Sequence, residues 1–273
     1  MAKNYISKSD YLEVLETFRK LVEAALTVSS LSEKVQTTSI GIESTKGFTR
    51  ICVNAMSIQS LFPENEMNAS KWWDFSSIAV LTQALMGVCH RYLYLSEQGL
   101  SSSESDFRLA LYYYHLNTEK YKFYKGPGVP LGATKQLEIN LAKDKAKLVE
   151  FEIFKSLENR SADDVRNGKV CMHLTDEETS ERYELLNDEF KTMYRILSNH
   201  AHGPYFAKSS QSDKRGRGIE NEVEIYYMWL SLQILNRYLS KAVLNQIELL
   251  NLKAHAVDED KYCLCVFRGD STI

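Results

Sequence analysis

Proline and glycine are the residues that interrupt helices, and in this chain they are few and bunched. Only four prolines and twelve glycines occur among 273 residues. The long stretches between them carry Leu, Ile, Phe and Tyr at spacings of three and four, which puts apolar side chains on one helix face. Such punctuation leaves helix as the dominant element, and the expected class is all-α, a multi-helix bundle.

A first helix is predicted from Ser9 or Asp10 to about Val28, with Leu12, Leu15, Phe18, Val22, Ala25 and Leu26 on one face. The Ser/Thr-rich stretch Ser29 to Glu43 reads as a loop or short strand. A second helix is predicted over Lys46 to Leu61. A third, from about Trp73 to Glu97, is apolar around most of its circumference and so central to the bundle. Ser101 to Asp106 reads as a connection before a fourth helix, Asp106 to Tyr124. Gly126, Pro127, Gly128, Pro130 and Gly132 then break the chain. Residues 125–132 are either a hinge between halves or a loop within one domain. A charged helix is expected over Ala133 to Leu157, its Lys143, Lys145 and Lys147 forming a solvated face. Thr175-Asp-Glu-Glu178 reads as a capping box that starts a helix running through Leu186, Phe190, Met193 and Leu197 to a stop at Gly203-Pro204. The last long helix is predicted from Glu220 to Leu250. The apolar run Tyr262-Cys-Leu-Cys-Val-Phe267 is expected as a short irregular or strand-like C-terminal tail. The simplest organisation is one helical domain over 1–273, with a peripheral extension open as the place of the N-terminal helices, 9–62.

Composition excludes several classes. A net charge of −3 leaves wholesale adsorption to nucleic acid or acidic lipid without a driving force, so any nucleic-acid contact must be a local basic patch. Five cysteines without a C-x-x-C pair read as thiols of a reducing compartment, the cytoplasm. The longest apolar run, Ile78 to Cys89, ends at His90-Arg91 and is too short to span a bilayer. The histidines show no metal-ligand spacing, and no phosphate-binding glycine loop or nucleophile elbow occurs, so neither a metal nor another cofactor is expected.

The chemistry gathers in Tyr194-Arg-Ile-Leu-Ser-Asn-His-Ala-His-Gly-Pro-Tyr205. At roughly 100° per residue, Arg195 and His202 fall within about 20° of one another, whereas His200 points about 140° away. Asn199 neighbours Arg195 at i+4. A permanent cation beside a group that titrates near neutral pH can grip a phosphate and move a proton. The plainer alternative is that the histidines cap the helix end and Arg195 pairs with an acid.

Arg195-x4-His200, or Arg195-x6-His202, late in a helix of an all-α chain, resembles the R-x4–6-H motif of the HEPN superfamily, helical bundles that include ribonucleases of abortive-infection and toxin type. Tyr194 to Gly203 also resembles a Y-R-x-L-S-x-x-x-H-G stretch of a family of bacterial helical proteins related to it. Gln83 and Gly87 stand where that family often has an Arg…Glu pair. The resemblance implies a HEPN-like bundle of long antiparallel helices and metal-independent RNA cleavage by attack of the 2′-hydroxyl on its own phosphate. It implies His202 or His200 as the proton-transfer group, Arg195 as phosphate stabiliser, and Asn199 or Ser198 as orienting groups. It further implies a homodimer, with a protein partner such as an antitoxin. Lys208, Lys214, Arg215 and Arg217, with Tyr205, would contact the RNA backbone; as an exposed loop they could equally be simply solvated. Two other functions remain open: a non-catalytic interaction module of the same fold, and a phosphate or nucleotide sensor at the Arg195/His202 corner.

Overall fold

The structure, a computed structural model, describes residues 6–64, 72–126, 134–201 and 218–252. Among the described residues every regular element is helical, in ten α-helices and one short 3-10 turn. Among these same residues, strand geometry is limited to an isolated bridge between Trp73 and Gly218. The C-terminal tail lies outside the described residues. The chain divides into two compact units, Met1–Ser96 with Asp176–Ile273, and Glu97–Thr175.

The first unit contains α1 (Lys8–Ser32), α2 (Ser39–Gln59), α3 (Phe75–Ser96), α8 (Asp176–Arg182), α9 (Phe190–Ala201) and α10 (Glu222–Leu249). Helix α1 starts one turn earlier than its apolar face suggests. Ser7 is the cap, and Ser7 and Asp10 satisfy each other's backbone amides reciprocally. Helix α2 also starts early. Thr38 caps it by accepting from the Gly41 amide, so of the expected loop Ser29–Glu43 only residues 33–38 lie outside helix.

Helix α3 lies between α2, α9 and α10 and is buried along most of its length. Tyr11, Leu15 and Phe18 of α1 pack with Phe48 and Ile51 of α2, Leu85 and Leu93 of α3, and Leu235 and Leu239 of α10 in one core. Each such side chain contributes about 1.5–3 kcal/mol by leaving water. The N-terminal helices therefore supply a large share of this core. Several polar groups inside it are bonded to one another. Tyr92 donates to the Gln246 amide oxygen (3.0 Å), and the Gln246 amide nitrogen donates to Ser32 (3.2 Å) and Thr45 (3.1 Å). One side-chain network thus fastens α1, α2, α3 and α10, with no desolvation cost left uncompensated at those atoms.

The second unit contains α4 (Ser102–Tyr124), α5 (Lys135–Leu148), α6 (Glu152–Lys155) and α7 (Asn159–Arg166). Ser101 caps α4, so the expected connection forms its first turn. The charged segment divides into α5 and the short α6, and the stretch after Asn159 is a two-turn helix. Phe107, Leu111, Tyr114, Leu148, Phe154 and Val165 make a separate small core. At its edge Arg108, 1 % exposed, is held by Glu97 at 2.7 Å and Glu104 at 2.5 Å.

Candidate functional site

The helix expected to run unbroken from Asp176 to the Gly203-Pro204 stop is interrupted between Tyr183 and Glu189. Glu184 (φ 55°) and Asn187 (φ 44°) adopt left-handed backbone, which ends α8 without glycine or proline. Leu185 and Leu186 dive into the core at this break. The Leu186 amide donates to the Ser180 hydroxyl (3.2 Å), and Arg237 of α10 donates to the Leu185 carbonyl (3.0 Å). The chain restarts as α9, with Phe190, Leu197 and His200 buried on one face.

Helix α9 separates the candidate residues. Arg195 is exposed, and Ser198 and Asn199 are half-buried. Counting about 100° per residue from Phe190, Leu197 and His200, Arg195 projects almost opposite the buried face. Arg195 has no ion pair among the described residues. His200 is 7 % exposed and sits among aromatic rings, 4.7 Å from Phe75 and 5.0 Å from Tyr227, which stack on each other at 4.9 Å. Its imidazole is thus turned into the fold and away from Arg195, as the helical count requires. His202, Tyr205, Lys208, Lys214, Arg215 and Arg217 lie outside the described residues, as do Cys263 and Cys265. Cys52 and Cys89 are buried, and burial pushes the Cys52 thiol up to about 11, so it is not poised as a nucleophile.

Beside α9 lies a group that sequence reasoning missed. His90, 1 % exposed on α3, bonds through Nδ1 to Asp176 Oδ1 at 2.8 Å and through Nε2 to the Tyr238 hydroxyl at 2.9 Å. A carboxylate can only accept, so Nδ1 carries the hydrogen. Burial raises the Tyr238 phenol well above its ordinary value, which keeps it protonated. Tyr238 is also bonded to Ser180, and Ser180 accepts from the Leu186 amide. One consistent direction of donation therefore runs from Leu186 through Ser180, Tyr238 and His90 to Asp176. It ties α3, α8 and α10 together and ends on a carboxylate that is 49 % exposed. The hydrogen bond from His90 holds the Asp176 carboxyl below its ordinary range, with a smaller contribution from the positive charge of Arg91.

Asp176 opens into a cavity of about 180 Å³ between α3, α8 and α9. His90, Gln83, Gly87, Arg91 and Tyr194 are among its lining residues. A Cβ on Gly87 would lie 3.9 Å from Nη1 of Arg91, so the guanidinium rests beside the missing side chain. The Gln83 amide donates to the Tyr194 carbonyl at 3.4 Å, linking α3 to α9 one residue before Arg195. The available signal in the sequence was a histidine and an arginine ending the most apolar run of the chain, an unusual place for two polar side chains.

Among the described residues no cluster of His, Cys, Asp or Glu is arranged to hold a metal ion, and no helix is long and apolar enough to cross a membrane. Comparison of the chain with protein-family models, with curated proteins and with solved structures finds no match.

Proposed function

We propose that the chain is a HEPN-like, metal-independent endoribonuclease acting as a homodimer in a defence or toxin-type response, with Arg195 and His202 as its working pair. The observation that supports this is the placing of Arg195. It projects to solvent from the face of α9 opposite the core, with no carboxylate paired to it among the described residues. An arginine left without a counter-ion is free to take a phosphodiester. The burial of His200 among Phe75 and Tyr227 favours His202 as the partner histidine.

In this reading His202 accepts the proton of an RNA 2′-hydroxyl. The freed oxygen attacks the adjacent phosphorus, and Arg195 balances the charge that builds on the phosphate oxygens. The bond to the 5′-oxygen breaks, and that oxygen takes the proton back from the His202 imidazolium, giving a 2′,3′-cyclic phosphate and a 5′-hydroxyl. Ser198 and Asn199 flank the arginine and orient the phosphate. The test is incubation of the purified protein with RNA in the presence of a chelator. Cleavage to a cyclic phosphate is expected, with its loss in Arg195→Ala and His202→Ala.

A second reading, a non-catalytic helical interaction module, is favoured by one observation. Trp72, Ile219 and Tyr226 are 66 %, 60 % and 44 % exposed, large apolar side chains that a partner could cover. A protein that retains this surface but leaves RNA intact under every condition would decide for it.

A further inference from the structure

The cavity beside α9 combines three features that suit a ligand: an anion with an open oxygen, a cation in no direct ion pair among the described residues, and an aromatic residue. Asp176 spends Oδ1 on His90, while Oδ2 has no hydrogen-bond partner among the described residues. Arg91 is exposed and makes no ion pair among the described residues, and its guanidinium lies over Gly87, where no side chain stands in its way. Tyr194, 41 % exposed, lines the same space, its ring 5.5 Å from that of Phe190. The carboxylate is anchored by a buried histidine that is itself bonded to a buried tyrosine. That anchoring gives the acceptor a set direction before any ligand arrives.

Size narrows the ligand. About 180 Å³ is well below the roughly 300–1,000 Å³ of pockets for drug-sized molecules, so one planar ring system fits and two do not. Charge and hydrogen-bonding capacity narrow it further. The free Asp176 oxygen, with two lone pairs, can accept from two adjacent N–H donors, and a guanidinium suits two adjacent acceptors, the pairing in which arginine reads O6 and N7 of guanine. Guanine presents both sets side by side: N1–H and N2–H2, then O6 and N7. Adenine, cytosine and uracil each lack at least one of them. An amino-acid zwitterion would also meet both charges, but its ammonium asks for about three acceptors, and the carboxylate leaves one oxygen open.

We infer that the cavity between α3, α8 and α9 is a guanine-binding site, in which Asp176 accepts from the base N–H edge, Arg91 donates to its O6/N7 edge, and Tyr194 supplies the stacking surface. In RNA this rests on the ribonuclease reading, because Tyr194 precedes Arg195 and a base held there would set the cleaved phosphate next to a G. The binding itself does not depend on that reading.

The experiment is calorimetric titration of the full chain with GMP, AMP, CMP and UMP, separately. GMP is expected to bind at least about tenfold more tightly than the other three, as a bidentate base contact supplies. Asp176→Asn is expected to remove that preference. The amide oxygen still accepts from His90, which preserves the fold, but the amide N–H2 now opposes the N–H edge of the base. Arg91→Met, at an exposed position, provides a second variant that should also lose the preference. Arg195→Ala should keep it, although it abolishes cleavage in the proposed function. Equal affinities for the four nucleotides, no GMP binding, or a G preference that survives in both Asp176→Asn and Arg91→Met overturns the inference. Selective GMP binding by a protein that does not cut RNA supports it and overturns the ribonuclease reading alone.

Discussion

The His90 imidazole hydrogen-bonds to the Asp176 carboxylate at 2.8 Å, joining the middle of α3 to the first residue of α8 across 86 positions of sequence. On its other side the same ring meets Tyr238 of α10 at 2.9 Å. A single side chain thus braces three helices of the larger unit and fixes an acid that faces the cavity.

His90→Ala should therefore cost more than the loss of one ring. It opens a void in the core and takes away the acceptor of a buried phenol. Together these are worth about 2–4 kcal/mol. Urea denaturation would measure it as a fall in the midpoint at unchanged slope.

The pH dependence follows from the direction of the Asp176 shift. Its carboxyl lies below the ordinary 3.8 in the folded state because His90 donates to it. A group depressed in this way adds stability that is present in full above the unfolded value and is lost as the pH falls through the folded one. Thermal melts from about pH 6 down to about pH 3 should therefore show wild type more stable than Asp176→Asn at the upper end, with the gap closing below the ordinary carboxyl range.

In the second unit the equivalent brace is Arg108, buried and held by Glu97 and Glu104. Replacing both acids with glutamine removes two carboxylates from a desolvated guanidinium, a change of about 3–5 kcal/mol. Either single replacement leaves the other carboxylate and should cost less than half as much. Differential scanning calorimetry of the three variants separates these cases.

How much of this was legible in the sequence depends on whether the cause was local. Helices α3 and α10 follow directly from their apolar periodicity, and their ends fall within about two residues of expectation. The starts of α2 and α4 were misplaced because Thr38 and Ser101 act as caps inside Ser/Thr-rich stretches that read equally well as loops. The break between α8 and α9 carries no glycine or proline, and Leu186, Phe190 and Met193 keep helical spacing across it. Only the tertiary pull of the core on Leu185 and Leu186 explains the positive φ values of Glu184 and Asn187. Helical counting did separate Arg195 from His200. The His90–Asp176 bond and the cavity could not be read at all, because they arise from packing between helices far apart in the chain.

The central claim is that Arg195 grips a phosphodiester that breaks without metal. Its most direct test is cleavage of a defined RNA, and of the same strand carrying 2′-deoxyribose throughout, by wild type and Arg195→Ala in excess EDTA. The account predicts that only the ribose strand is cut, leaving 2′,3′-cyclic phosphate ends. Arg195→Ala, with an unchanged circular dichroism melt, should cut about 10²–10³-fold more slowly. Cutting of the deoxyribose strand, equal rates for the two proteins, or an RNA left intact by wild type would contradict it.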